Sequence, residues 1–346
     1  MRGRRQLLLK EVVDWFIRTR QPVSSKSLVE EYGHRFSSAT VRNELAALER
    51  EGYIYKPYPS SGRIPTKKAF RFFAHWLLEL AELKERPARL PAEPPEIVPQ
   101  ELPELLRRTA LLLSTMTGNL AFVLAPEVEA LRLAGLVMRR IGPGAVLVVV
   151  LSELGVVESR VLHLPGDLAP QVVVQVEEVL SRRVRGLTLH QLVELGDLEV
   201  KGWHDRTVLA ALDLLQRLAA EGLRRRLYVE GLTQLLRDLE DQPADWTMER
   251  ICGLLRLLED ERGFAQVISR LRAGAQELAV AVGEEGVREL ADFSVVTVPY
   301  FGDTGVLGVI GPLWMDYARA FSAARYVAGR LKAILATAGR IQEVNT

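Results

Sequence analysis

Apolar residues recur at helical spacing through the first 80 positions and at strand spacing after residue 120. Leu8, Val12, Trp15 and Phe16 share one face of a helix over 5–19, which Pro22 ends. Ser24 or Ser25 caps a second helix with Leu28 and Val29 inward; it runs to about Tyr32 and stops at Gly33. Ser37 or Ser38 caps a third, whose apolar positions Val41, Leu45 and Leu48 fall at i, i+4 and i+7. At 100° per residue Ala39, Asn43, Ala46 and Arg50 face the other way, with Thr40 and Arg42 on the flanks. Gly52 stops this helix, residues 53–55 read as a strand, and a turn-rich loop over 57–65 follows, with Lys56, Ser60, Ser61 and Arg63 along it.

Past this point the pattern changes twice. Pro87, Pro91, Pro94, Pro95, Pro99 and Pro103 lie among charged residues, so 84–103 reads as a stiff linker. A helix over 105–116 then precedes strand-like runs at 120–124, 131–141, 145–151 and 156–164. Helical stripes follow, Val208, Leu212, Leu215 and Ala219 on one and Ile251, Leu254, Leu255 and Leu258 on another. Strands return at 279–282, 293–300 and 306–310, and a last helix carries Tyr317, Phe321, Ala324, Val327, Ala328, Leu331, Ile334 and Leu335 on one stripe. Strands, a helical interruption, more strands and a closing helix predict a multi-domain α+β chain with an insertion.

Composition excludes several classes. The single cysteine, Cys252, rules out an internal disulfide framework and a cysteine-based zinc site. The longest strongly apolar run, 145–151, has the length of a strand rather than a membrane span, and 7–9 is too short for a signal sequence, so the chain reads as cytoplasmic. The net charge of +1 hides a division. Residues 1–75 hold 15 Lys and Arg against 7 Asp and Glu, a balance of +8, while the remainder holds 30 against 37.

That charge sits on the segment with three helices and a loop, the order of parts in a winged helix-turn-helix, which makes double-stranded DNA the first partner to consider. An ordinary three-helix element with a solvated polar face shares the helical stripe; the basic loop directly after it separates the two readings. On the third helix Arg42 suits guanine, Asn43 adenine, and Ala39 or Ala46 a thymine methyl. Ser38 and Thr40 at its start suit a phosphate, as do Lys56, Ser60, Ser61 and Arg63 on the wing and Lys67 and Lys68 beyond it. A small contact of this kind favours a homodimer on an inverted repeat.

Other motifs fail their context. Asp303-Thr304-Gly305 matches an aspartic-protease tripeptide, but it has no second copy and lies where a hairpin turn is expected. Gly302, Gly305, Gly308 and Gly311 fall in a strand pattern instead of opening a helix. His34, His75, His163, His190 and His204 lack metal-ligand spacing. With no catalytic constellation, no enzyme, cofactor or metal is expected.

Ordered signatures narrow the reading. Pro22-Val23-Ser24-Ser25-Lys26, Ser38-Ala39-Thr40-Val41-Arg42-Asn43-Glu44, Leu48-Glu49, Gly52-Tyr53 and Ser61-Gly62-Arg63-Ile64-Pro65-Thr66 resemble the HrcA-type heat-inducible transcription repressors, as do Tyr228-Val229-Glu230-Gly231, Gly311-Pro312 and Met315-Asp316-Tyr317 further on. The chain departs from that pattern at Tyr58-Pro59, Ala69, Gly286 and Trp314. The resemblance adds Ser25 and Lys26 to the DNA contacts. It implies a winged-helix domain over 1–83, a GAF-like α+β domain in two parts over 104–165 and 266–346, and between them a mostly helical dimerisation insert over 166–265. It further implies repression of chaperone genes at an inverted repeat of the CIRCE type, with a GroEL-type chaperonin keeping the repressor active. The alternative is a winged-helix regulator whose GAF-like domain binds a small effector.

Overall fold

The structure is a computed structural model that describes residues 3–32, 37–59, 61–83, 102–126, 132–152, 155–163, 167, 169–188, 191, 227–240, 248–284, 286–302 and 305–344. Gly33, Ser60, residues 84–101 of the expected linker, the stripe from Val208 to Ala219, Asp303-Thr304, His34, His190 and His204 lie outside the described residues.

Helices α1 (Gly3–Thr19), α2 (Ser25–Tyr32) and α3 (Ser38–Arg50) match the three expected ones. Both open choices of cap resolve to the earlier serine. Ser24 Oγ accepts from Ser27 N at 3.0 Å, and Ser37 Oγ accepts from Thr40 N at 3.2 Å, each satisfying an amide that the first turn leaves unpaired. Val41, Leu45 and Leu48 are fully buried with Leu8, Leu9, Val12 and Leu28. Strands β1 (Ile54–Tyr55) and β2 (Ile64–Pro65) pair antiparallel behind α3. Val23 and Arg63 exchange both backbone hydrogen bonds at 2.8 Å, which ties the α1–α2 connection to the hairpin. Gly62 permits that approach, since a Cβ there would stand 2.8 Å from the Pro22 and Val23 carbonyls. Helix α4 (Lys67–Leu83) closes this region and inserts Phe70 and Phe73 into the core.

A mixed α+β body follows. Helix α5 (Leu102–Thr117) leads into β3 (Leu120–Leu124), and further along come β7 (Leu227–Glu230), α7 (Leu232–Glu240), α8 (Met248–Glu259), α9 (Glu261–Leu271), β8 (Ala279–Val282), β9 (Phe293–Phe301), β10 (Gly305–Pro312) and α10 (Tyr317–Val344). The five strands form one antiparallel sheet in the order β7-β3-β10-β9-β8. Strands β3 and β10 are buried along their whole length because helices cover both faces. Phe122 and Thr297 lie on the face that meets Phe264 of α9 and Arg272, with the Phe122–Phe264 rings edge to face at 4.9 Å. Ser294 lies on the other, its Oγ 2.8 Å from the Tyr317 hydroxyl of α10.

Strands β4 (Leu133–Gly142), β5 (Ala145–Ser152) and β6 (Gly155–His163) form a separate antiparallel sheet in the order β4-β5-β6. Helix α6 (Pro170–Val184) covers one face with Val173, Val176, Leu180 and Val184, against Val146, Val148 and Val150. The division differs from the expected one. Residues 132–163 do not extend the first sheet, whereas β7, expected inside the insert, is its edge strand, with Phe122 opposite Val229. The stripe of α8 also packs inward, with Leu254 buried and Ile251 and Leu258 against the common core. Alternating apolar strands state which face is buried but not which strand lies alongside. Gly305 pairs with Phe301, so the glycine of the Asp303-Thr304-Gly305 tripeptide opens a strand antiparallel to β9. No described helix is long and apolar enough to cross a membrane.

Candidate nucleic-acid interface

Helix α3 divides along its length as the periodicity requires. Ser38, Ala39, Arg42, Asn43 and Arg50 are exposed, Thr40 and Ala46 are half-buried at the flanks, and the opposite face is core. The side chains of Arg42 and Asn43 make no hydrogen bond or ion pair with any other described residue, so their donors and acceptors are free to meet a ligand. Thr40 Oγ1 lies 3.0 Å from Ser37 Oγ, which makes it part of the cap as well as of the surface.

The acidic residues of this helix are each held by a cation from elsewhere. Arg5 of α1 donates through Nε to Glu44 at 2.9 Å and through Nη1 to Glu51. Arg63 donates to Glu49 at 3.1 Å, with its side chain only 12% exposed. Lys68 donates to the Glu51 carbonyl at 3.0 Å and stands 4.3 Å over the Tyr53 ring. Two arginines thereby offset most of the charge of three carboxylates that would repel a phosphate, while Arg42, Arg50 and Lys56 remain exposed.

The remaining expected site residues occupy varied places. Ser25 is half-buried at the start of α2, and Lys26 is 83% exposed, 3.7 Å from Glu30. Lys56 stands at the root of the hairpin loop. Ser61 pins that loop: its Oγ accepts from Tyr58 N at 3.1 Å and donates to Tyr58 O at 2.7 Å, which holds the Tyr58 ring outward, 72% exposed. Lys67 turns away from the loop toward Asp292, at 3.9 Å. Ser38, Ala39, Arg42 and Asn43 therefore share one open face of α3 and Lys56 is exposed on the hairpin, whereas Arg63, Lys67 and Lys68 are engaged within the chain. Arg5 was not foreseen. No local pattern links it to Glu44, 39 positions away.

Behind this surface, burial pushes the Glu11 carboxyl up to about 7, with the neighbouring Asp14 charge adding to the shift. Tyr32 donates to Asp14 at 2.8 Å and Arg18 to Glu31 at 3.1 Å, which ties α1 to α2. Among the described residues no group of three or more His, Cys, Asp or Glu is placed to hold a metal ion.

Residues 103–321 match the family model described as the HrcA protein C-terminal domain. The chain is similar to the heat-inducible transcription repressor HrcA of Halalkalibacterium halodurans, 31% identical over 339 residues that cover 96% of this chain and 97% of that one. It is 33% identical to the protein of the same name from Symbiobacterium thermophilum, over 343 residues covering 95% and 97%. Among solved structures, the crystal structure of a hypothetical protein at 2.2 Å resolution superposes with a TM-score of 0.64 and 24% identity, covering 98% of this chain and 99% of that one. That last likeness is one of fold alone.

Proposed function

The chain belongs to the HrcA family of heat-inducible transcription repressors, and from that premise we propose that it represses by binding an inverted-repeat operator as a homodimer. Residues 1–83 act as a winged helix-turn-helix, with α3 in the major groove and the β1–β2 hairpin as the wing. Arg42 and Asn43 read base edges, Ala39 and Ala46 lie against them, and Ser25, Lys26, Ser38, Thr40, Lys56, Ser60 and Ser61 face the backbone. The observation that carries this reading is the free Arg42–Asn43 side-chain face of α3, flanked by carboxylates already paired with arginines from within the chain.

The five-stranded sheet and its helices form the GAF-like domain, in the parts 102–126 and 227–344, and the segment between them is the inserted dimerisation domain. Support for the dimer comes from the β4–β6 face that α6 leaves uncovered. It carries half-exposed Val137, Leu147, Val149 and Leu151, with Ile141 56% and Val161 42% exposed. A second copy related by a two-fold axis would cover this face and present two reading helices to the two arms of the repeat. A GroEL-type chaperonin keeps the repressor in its active fold, and heat-unfolded clients that compete for the chaperonin relieve repression.

The test is a titration of the full-length chain against an inverted-repeat duplex and a scrambled duplex at one salt concentration, with the mass of the complex measured. The expected result is a complex of two chains per duplex and an affinity at least about 1,000-fold above the scrambled sequence. Equal affinity for both would overturn the operator reading.

A further inference from the structure

Two arginines of the N-terminal region end on backbone carbonyls of the sheet domain. Arg20, just past α1, has a φ of 58°, a left-handed conformation that a non-glycine residue seldom adopts. From there its Nη1 donates to the Trp314 carbonyl at 2.7 Å, and its guanidinium stands 6.0 Å from the centre of the Trp314 ring. Trp314 is itself buried, in the turn between β10 and α10. On α4, Arg71 forks across the end of β8: Nε and Nη2 donate to the Val282 carbonyl at 3.2 and 3.1 Å, and Nη2 to the Gly283 carbonyl at 3.0 Å. The helix runs so close here that a Cβ on Gly283 would stand 2.3 Å from Lys67 Cδ. Between the two points Phe73 of α4 meets Tyr317 of α10 with ring centres 6.4 Å apart.

A single contact would let the reading helix pivot; one anchor at the β10–α10 turn and another at the end of β8, each a charged donor on a fixed backbone acceptor, remove that freedom. We propose that Arg20 and Arg71 are positioning residues that fix the reading helix against the sheet domain, and so determine which spacing between operator half-sites the repressor accepts. The inference rests on the operator reading above. Successive base pairs rotate by about 35°, so a spacer altered by two base pairs turns one half-site some 70° away from a rigidly held reading helix. Neither arginine faces the proposed DNA surface, so affinity for a lone half-site does not depend on them.

The experiment uses the full-length protein and a duplex series with constant half-sites, the spacer shortened or lengthened by one and two base pairs, and a lone half-site duplex. Wild type is expected to favour one spacer and to lose roughly tenfold or more in affinity two base pairs away, because only one arm can then engage. The Arg20→Met/Arg71→Met variant is expected to keep half-site affinity within about twofold and to flatten the series to within about threefold, since a pivoting domain reaches the displaced arm. Arg20→Lys, which retains one donor for the Trp314 carbonyl, is expected to fall between them. Should the double variant lose half-site binding through misfolding, Arg20→Lys and Arg20→Met are read in the same series. A variant that binds the half-site and keeps the wild-type spacer profile overturns the clamp. A wild type that binds no spacer better than the half-site overturns the operator reading itself, and the clamp's role with it.

Discussion

Replacing Arg63 by methionine distinguishes two ways in which a cation beside the reading helix can favour DNA. Arg63 Nε lies 3.1 Å from Glu49 Oε2, and its backbone is pinned by Val23 through two hydrogen bonds of 2.8 Å. The methionine therefore preserves the hairpin and leaves the Glu49 carboxylate uncompensated on α3. At about 8 Å from a phosphate, in an effective dielectric of about 40 to 80, one unit charge costs roughly 0.5–1 kcal/mol, a two- to fivefold loss of affinity. Glu49→Gln alone gains a similar factor, and the double variant returns to wild type because the net charge of the pair is again zero. The assay is fluorescence anisotropy of a labelled operator over a salt series, with circular dichroism to confirm the fold. If Arg63 instead touches a phosphate, the double variant stays weak and the slope of log K against log salt loses about 0.9 of its magnitude. That outcome would refute the neutralisation argument.

Two further predictions concern stability and assembly. The folded Glu11 carboxyl titrates near 7 against an ordinary 4.5, so the folded state holds its proton more tightly than the unfolded chain, and stability falls as pH rises between those values. Glu11→Gln removes this loss. Its stability relative to wild type should grow from near zero at about pH 5 to roughly 1–2 kcal/mol at about pH 8, allowing for the partial exposure of the site; a difference that does not change with pH in denaturant melts contradicts the assignment. Val149→Glu places a charge in the middle of the β4–β6 face opposite α6, where burial against a second copy would cost several kcal/mol. The chain should then run as a monomer in light scattering and bind the inverted repeat no better than a half-site, whereas an undisturbed dimer would move the interface elsewhere.

Local order was well written in the sequence. The Val41, Leu45, Leu48 stripe placed α3 and its exposed face, because a 3.6-residue period leaves few ways to bury three residues at those spacings. The serine caps were narrowed to pairs, and the structure selected Ser24 and Ser37 by their bonds to Ser27 and Thr40. What the sequence did not carry was partnership between distant positions. The β3–β7 pairing joins Ala121 to Glu230, and several strands of similar apolar character could have taken that edge. Arg5 reads as a generic basic residue and Arg63 as a wing contact to phosphate, and only the approach of α1 and β2 to α3 turns them into partners of Glu44 and Glu49. Arg20 and Trp314 are 294 positions apart, so their contact exists only once the two domains have packed.

The central claim is that α3 reads bases, and Arg42→Ala tests it most directly. Full-length wild type and variant are titrated with the inverted-repeat operator and with a scrambled duplex of the same length and salt. A base-reading Arg42 predicts a loss of about 1–3 kcal/mol on the operator and a much smaller loss on the scrambled duplex. Equal losses on the two duplexes would contradict it and leave Arg42 as a contact to the phosphate backbone.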